Sequence, residues 1–170
     1  MRNPDAAALR ALALRPATTE DEPFLRHLFA TTRAADLALM SWGEQQKEAF
    51  VAMQFSAQSR QYAMSYPNAE HRIIVWGEAP IGRLLVDKGE PEFTLVDIAL
   101  LADYQNLGIG TRLIKDLLRE AAAVGEPVRL HVLTSSAAKR LYERLGFSRV
   151  GGDAVYLEMK WVPSVLDPAE

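Results

Sequence analysis

Two glycines between an apolar run and a helix form the segment of this sequence best suited to chemistry. Residues 96–101 are apolar except for Asp97 and lead into the turn Gln105-Asn106-Leu107-Gly108-Ile109-Gly110, after which apolar residues recur at helical spacing. Glycine lets the backbone approach a ligand closely, and the first turn of a helix presents N–H groups without partners. This pattern predicts an anion site suited to phosphate. The alternative is that the glycines only permit a tight turn.

Two common phosphate motifs do not fit this turn. A Walker A loop requires Gly-Lys-Ser/Thr, whereas Thr111 and Arg112 follow Gly110. A dinucleotide fingerprint requires a third glycine at the position of Leu113. Both nucleotide interpretations are therefore weakened.

A second segment, SSAAKRLYERLGF at residues 135–147, follows the next predicted strand. It contains the pattern Ala138-x-x-Leu141-Tyr142-x-x-Leu145-Gly146-Phe147, downstream of Gln105-x-x-Gly108-x-Gly110. With these two motifs and the strand between them, the chain resembles the GNAT superfamily of acyl-CoA-dependent N-acyltransferases. The order of elements resembles that of the family over about residues 12–161, although only the second half carries specific motifs.

The resemblance implies that acetyl-CoA binds in a cleft between two splayed strands, residues 93–101 and 128–133. Backbone N–H groups of the turn would hold the pyrophosphate, and the edge of the first strand would pair with the pantetheine. The N–H of Leu100 would polarise the thioester carbonyl. The backbone residues implied in binding are Ile98, Ala99, Leu100, Gln105, Asn106, Leu107, Gly108, Ile109, Gly110 and Thr111.

Side chains of the second motif are implied near the same ligand. The family usually has an asparagine where Ser135 and Ser136 stand, so we expect either serine to cap the helix and to bond the pantetheine. Lys139, Arg112 and Arg140 are cationic candidates for the CoA phosphates. The alternative for each cation is an ordinary solvated helix face.

Family members generally use direct attack by the amine, and this chain has no cysteine that could form an acyl-enzyme. Tyr142 matches the tyrosine that protonates the leaving thiolate in the family; its alternative is a core aromatic. Asp97 and His131 are two candidates for the base, because each alternates with apolar strand neighbours and could point into the cleft. Histidine is the side-chain type that titrates nearest neutral pH. The alternative for both is a side chain satisfied within the sheet.

In this family the acceptor pocket is framed by the first two helices. The second predicted helix carries two apolar stripes, one of Phe50, Met53, Ala57 and Met64 and the other of Val51, Phe55 and Tyr62. We expect most of both stripes to be core, with Trp42 and Phe55 lining an acceptor pocket or the contact of a homodimer. No acidic cluster is present, which favours a small or weakly charged amine over a polyamine or histone tail.

The elements that must position these residues follow the order β-αα-βββ-α-β-α-ββ, a mixed α/β fold. Strands are expected at 12–15, 72–76, 81–87, 93–101, 128–133, 147–150 and 155–161, and helices at 20–37, 44–66, 111–124 and 136–145. Thr18 or Thr19 should cap the first helix. The three histidines are scattered, so no metal site is predicted, and His27 and His71 are expected at the surface.

Composition limits the remaining function classes. The 170 residues suit one domain, predicted over 11–162, with tails at 1–10 and 163–170. The net charge of −3 argues against sequence-independent binding of nucleic acid. No apolar run is long enough to span a membrane, and the absence of cysteine agrees with a cytoplasmic location.

These observations lead to one main hypothesis and one rival. The first is a cytoplasmic N-acetyltransferase that moves an acetyl group from acetyl-CoA to a primary amine of a small molecule or peptide. The rival is a regulatory or partner-binding domain that binds acyl-CoA without turnover. Replacement of the usual asparagine by serines leaves room for the rival.

Overall fold

The computed structural model describes residues 11–164, which form strands and helices in the predicted order. The strands are β1 (Leu12–Pro16), β2 (Glu70–Trp76), β3 (Ala79–Asp87), β4 (Phe93–Leu100), β5 (Val128–Leu133), β6 (Ser148–Gly152) and β7 (Tyr156–Trp161). The α-helices are α1 (Glu22–Thr32), α2 (Ala34–Ala38), α3 (Glu44–Ser65), α4 (Ile109–Val124) and α5 (Ala138–Arg144). Short 3-10 turns, Thr19–Asp21 and Ala102–Tyr104, precede α1 and follow β4.

The seven strands form one mixed sheet in the order β1-β2-β3-β4-β5-β7-β6. Strands β4 and β5 run parallel, whereas β1 with β2, β5 with β7 and β6 with β7 are antiparallel. The predicted mixed α/β fold is therefore confirmed. The predicted tail at 1–10 and residues 165–170 of the other tail lie outside the described residues.

The parallel pairing of β4 with β5 is short. It joins Phe93, Thr94 and Leu95 to Val128, Arg129 and Leu130, in that order. Beyond Leu95 the strand β4 continues for five residues, and β5 continues for three beyond Leu130. The parallel ladder between the two strands thus ends at Leu95 and Leu130, and a short shared ladder is what the family resemblance implies.

Contacts divide the described chain into two compact units. The single domain expected over residues 11–162 remains a prediction. The first unit comprises residues 11–85 and 97–107. Its core is a cluster from α1, α3 and β2, namely Leu25, Phe29, Val51, Phe55, Ile73 and Val75. An ion pair stabilises the start of the first helical segment, where Arg15 and the backbone N–H of Thr18 bind the carboxylate of Asp21.

The second unit comprises residues 86–96 and 108–164 and is built around α4. The helix is bounded by two glycines in the left-handed region, Gly108 (φ +80°) and Gly125 (φ +78°). Its apolar face is buried through Ile109, Leu113, Ile114, Leu117, Leu118 and Ala121. This spacing of three and four residues is the helical period predicted from the sequence.

The first predicted helix, residues 20–37, is wrong as one continuous helix. It is a 3-10 turn followed by α1 and α2, which are separated at Arg33 (φ −105°, ψ 0°). The hydroxyls of Thr31 and Thr32 each donate a hydrogen bond of 2.7 Å to the carbonyls of Leu28 and Phe29. Such bonds compete with regular helix geometry, which explains the break.

The stripes of α3 have different roles. Val51 and Phe55 of the second stripe are buried, whereas Met53 and Met64 of the first are 60% and 78% exposed. The second stripe is therefore the side that packs into the core of the first unit, and the expectation that most of the first stripe is also core is wrong. None of the helices described between residues 11 and 164 is long and apolar enough to cross a membrane.

Both edge strands of the described sheet are short, and each carries one irregular feature. β1 has five residues and ends in Arg15 and Pro16. β6 also has five residues, and its register with β7 shifts between Arg149 and Gly151, which marks a bulge.

Gly82 on β3 marks a close approach of two backbones within the first unit. A Cβ at this position would lie 2.3 Å from the carbonyl oxygen of Ala99 and 2.8 Å from the Leu100 side chain. We expect Gly82→Ala to destabilise the protein by about 2 kcal/mol or more, because packed backbone cannot yield to the added methyl. Thermal unfolding measures the loss, which corresponds to roughly 4–8 °C in Tm at this chain length.

Gly43→Ala provides the matched control for Gly82→Ala. The same added Cβ would meet its nearest neighbour, the Gln46 side chain, only at 4.0 Å. Its Tm should stay within about 2 °C of the wild type, since surface changes usually alter stability by under 0.5 kcal/mol. Equal Tm values for the two variants would contradict the close approach at Ala99.

Candidate active site

The glycine turn presents a row of unused backbone donors. Among the described residues, no hydrogen-bond acceptor is found for the backbone N–H groups from Asn106 to Thr111; the first helical bond runs from the Arg112 N–H to the Gly108 carbonyl. Asn106 (φ +59°) and Gly108 (φ +80°) both take left-handed conformations, which turn the chain sharply before α4. Consecutive free N–H groups at a helix start form a site for an anion.

The space beside Gly108 is open, so a ligand could approach the backbone of the turn closely. A Cβ built on Gly108 would meet no atom within 4 Å. Gly108 is exposed, whereas Ile109 is almost fully buried and anchors the start of α4. The donors therefore lie on a fixed backbone next to open space, which is what a diphosphate would require.

The end of β4 is held within the first unit by two local hydrogen bonds. The Gln105 side-chain amide donates to the carbonyl of Leu100 at 2.9 Å, and the Leu101 N–H donates to the carbonyl of Ile81 at 2.8 Å. Residues Ile98, Ala99 and Leu100 are all half-buried. Gln105 thus fixes the strand that the family resemblance implies for the pantetheine, and this side-chain role differs from the predicted backbone binding.

Within the second unit, the two sequence motifs meet. A Cβ on Gly110 would lie 3.9 Å from the side chain of Leu141, so α4 begins against α5. Tyr142, the next residue, is 7% exposed, and its ring contacts Phe147 edge-on with 5.7 Å between centroids. The phenol is therefore held by packing from its own motif. Tyr142 makes further interactions within the described chain.

The polar residues of the second motif occupy the start and outer face of α5. The Ser136 hydroxyl accepts a hydrogen bond from the Ala138 N–H at 3.2 Å, just before the N-cap residue Ala137, so the predicted cap by Ser136 is wrong; Ser135 is exposed. The Nζ atom of Lys139 lies 3.7 Å from Oε1 of Glu143, one helical turn further along, and Arg140 is exposed. These cations lie on a solvated helix face, which leaves their contacts with phosphate as a prediction.

Asp97 lies in a buried polar cluster whose members no sequence pattern connects. Arg83 of β3 is 6% exposed, and its Nε donates to Asp97 Oδ2 at 2.7 Å. A second nitrogen of the same guanidinium donates to that oxygen and also to Gln58 Oε1, the latter at 2.9 Å. The guanidinium carbon lies 5.5 Å from the centroid of the Tyr62 ring. Side chains of α3, β3 and β4 thus converge on one ion pair.

His71 borders this cluster, and its predicted surface position is wrong. The residue is half-buried, and its Nε2 atom is buried with no hydrogen-bond partner in the described chain. Burial lowers the pKa of His71, and the positive charge of Arg83 lowers the pKa further against the opposing effect of Asp97 and Asp21. The imidazole is therefore neutral at pH 7.

His131, the second candidate base, lies in the second unit on an exposed part of β5. In the ladder with β7 it stands opposite Glu158, next to the pair of Val132 with Leu157. Directly opposite residues share one face of a sheet. The carboxylate of Glu158 forms an ion pair with Arg129, which lies two residues before His131 on the same strand. Asp97 and His131 belong to different units, and each role is a separate prediction.

The two predicted acceptor residues differ in their surroundings. Trp42 is 42% exposed and packs edge-on against Phe50 at 5.3 Å. Phe55 is 7% exposed and packs against Phe29 at 5.8 Å, so it is mainly a core residue of the first unit. It also lines an open cavity of about 700 Å³ together with Thr18, Ser56, Ser59, Arg60 and His71. Residues 11–164 contain no group of three acidic or histidine side chains that could hold a metal ion.

Solved structures of acetyltransferases share this fold. PaiA N-acetyltransferase from Thermoplasma acidophilum, solved in complex with coenzyme A, superposes with a TM-score of 0.68 at 16% identity, over 89% of this chain and 98% of that one. The ribosomal-protein-S18-alanine N-acetyltransferase from Escherichia coli gives 0.61 at 20% identity, over 94% and 99% of the two chains. Identities this low establish the fold alone.

Sequence comparison supplies the family. The family model described as an acetyltransferase (GNAT) domain matches residues 38–165, which is most of the chain. The chain belongs to the GNAT acetyltransferase family. It is also 39% identical over 82 residues to an N-alpha-acetyltransferase of Sulfurisphaera tokodaii, covering 45% of this chain and 47% of the relative. The match thus spans about half the length of this curated relative.

Proposed function

We propose that this protein transfers the acetyl group of acetyl-CoA to a primary amine. The observation that carries the proposal is the run of unused N–H donors from Asn106 to Thr111 beside the open Gly108. A diphosphate needs several donors at once, and a rigid helix start offers them without further ordering. Membership of the GNAT family supports CoA as the carrier of that diphosphate.

The residues around the turn fit this ligand in different ways. The parallel ladder of β4 ends at Leu95, which leaves Ile98 to Leu100 outside that ladder and supports a place for the pantetheine beside them. The N–H of Leu100 would stabilise negative charge on the thioester oxygen. Ser136, which lies just before α5, and Lys139 would contact the donor from the second motif.

The reaction forms one C–N bond and breaks one C–S bond. The amine gives up a proton to a base, for which His131 and Asp97 are the two candidates in this chain. The Tyr142 hydroxyl donates a proton to the leaving thiolate, which departs as free thiol. Packing of the Tyr142 ring against Phe147 holds the hydroxyl in place, so little ordering is needed at the moment of transfer.

The acceptor is a primary amine on a small molecule or on a peptide. The relative named N-alpha-acetyltransferase makes α-amines the first class to test. We place Trp42 and the exposed rim of the cavity beside Phe55 on the acceptor side. The rival function, an acyl-CoA-binding domain without turnover, shares the glycine turn and differs only in the chemical step.

Release of free thiol from acetyl-CoA tests the proposal directly. The full-length protein is incubated with acetyl-CoA and a panel of short peptides and alkylamines, each paired with its N-acetylated form as control. We expect thiol release with some free amines and background rates with the blocked controls. Binding of acetyl-CoA without release for any amine would favour the rival, and absence of binding would exclude both.

A further inference from the structure

Two partly buried ion pairs of the first unit differ in how many oxygens of the carboxylate accept hydrogen bonds. In the Arg15–Asp21 pair, Arg15 binds both oxygens of Asp21, and the Thr18 N–H adds a third bond. In the Arg83–Asp97 pair, both hydrogen bonds from Arg83 end on Oδ2 of Asp97. Among the described residues, Oδ1 of Asp97 has no hydrogen-bond partner. The second pair therefore leaves one acceptor oxygen available.

The Asp97 side chain also keeps part of its surface accessible. The Asp97 side chain is 24% exposed, whereas the Arg83 side chain is 7% exposed. Burying a guanidinium requires a fixed anionic partner, so Arg83 cannot release Asp97 without a large cost. Gln58 and the ring of Tyr62 hold the guanidinium from α3. The carboxylate is thus anchored by one oxygen and presents the other.

The surrounding charges favour a cation at this oxygen. Arg83 and Asp97 compensate each other, and burial keeps the neighbouring His71 neutral at pH 7. A partly buried carboxylate attracts an ammonium group more strongly than an exposed one, because solvent screens it less. Asp97 offers one available oxygen, which is enough for one ammonium group. Nothing at this oxygen favours a polyamine over a monoamine.

We propose that Asp97 Oδ1 binds the ammonium group of the acceptor and that Arg83 is the positioning residue that keeps this oxygen turned toward it. The inference rests on the proposed function, since Asp97 directly precedes the Ile98–Leu100 segment assigned to the thioester. It names the acceptor class as aliphatic monoamines, which are protonated at pH 7. Arylamines and alcohols, which carry no charge there, lack this contact.

The test is a binding measurement that does not depend on turnover. Calorimetry at pH 7 with CoA present compares 1-hexylamine with the uncharged 1-hexanol for each protein. We expect the wild type to prefer hexylamine by about tenfold or more, the value for one charge-assisted hydrogen bond. Asp97→Asn should remove this preference, Arg83→Met should reduce it, and Arg83→Lys should restore part of it.

Asp21→Asn is the matched control, because it disrupts the other ion pair of the same unit. It should lower Tm yet retain the preference for hexylamine. The inference is overturned if the wild type shows no preference, if Asp97→Asn keeps it, or if Asp21→Asn loses as much of it. Should Arg83→Met fail to fold, Asp97→Asn and Arg83→Lys decide the outcome. Failure of thiol release alone would count against the proposed function and leave this result standing.

Discussion

Replacing Gly108 by glutamate should abolish binding of acetyl-CoA. The position has φ +80° and an open space where a Cβ would lie, so the new side chain would project beside the free N–H groups of the turn. Its carboxylate would compete for the donors that we assign to the pyrophosphate and would repel the phosphates. Calorimetric titration with acetyl-CoA should show an affinity at least about 100-fold weaker than that of the wild type, as expected when the main anion contacts are lost.

Gly125→Glu separates loss of the site from loss of stability. Gly125 closes the same helix at φ +78°, and a Cβ added there would also have no atom within 4 Å, so the backbone strain and charge change are matched. We expect wild-type affinity for acetyl-CoA in Gly125→Glu, although its Tm should be no higher than that of Gly108→Glu, because a carboxylate is less favourable at the C-terminus of a helix than at its N-terminus. Tight binding by Gly108→Glu would show that the diphosphate lies elsewhere.

Replacing Tyr142 by phenylalanine should lower turnover by about 100-fold or more, the usual range for losing a general acid. The ring is 7% exposed and packs on Phe147, and phenylalanine preserves that packing while removing the hydroxyl. The dissociation constant of acetyl-CoA should change by less than about threefold, since the hydroxyl acts on the leaving group rather than on binding. Steady-state thiol release combined with calorimetry measures both quantities.

Tyr66→Phe is the control for the loss of a tyrosine hydroxyl. Tyr66 follows α3 in the first unit, is half-buried, and is not one of the residues assigned to catalysis. It should retain wild-type turnover. If Tyr142→Phe turned over as fast as Tyr66→Phe, Tyr142 would have no part in the chemistry, and its hydroxyl would serve only the packing of α5.

The order of elements could be predicted because local signals are strong along most of the chain. Pro67 ends α3, Gly125 ends α4, and the alternation in residues 128–133 is that of a strand. The break at Arg33 could not be predicted in the same way, because apolar spacing continues across it. The threonine hydroxyls that bond back to the preceding turn, at Thr31 and Thr32, are a weaker signal.

The candidate site also has one part that could be predicted from the sequence and one part that could not. The glycine turn and the helix of Tyr142 are each continuous in sequence, so their residue types and spacing identify them. The cluster around Asp97 joins Gln58, Arg83 and Asp97 from three separate elements, and no spacing rule connects these positions. An arginine within a strand ordinarily indicates a solvated face, yet Arg83 is buried by its neighbours on α3. Long-range pairing of this kind appears only once the strands are in register.

The two short edge strands have a consequence for how this protein behaves in concentrated solution. An exposed edge offers unpaired N–H and C=O groups to any strand of another molecule, and such pairing leads to aggregation. Here one edge carries Pro16, which lacks a donor, and the other carries the bulge between Arg149 and Gly151. Each irregularity interrupts the flat template that an incoming strand would need, so the sheet is protected against growth from both sides.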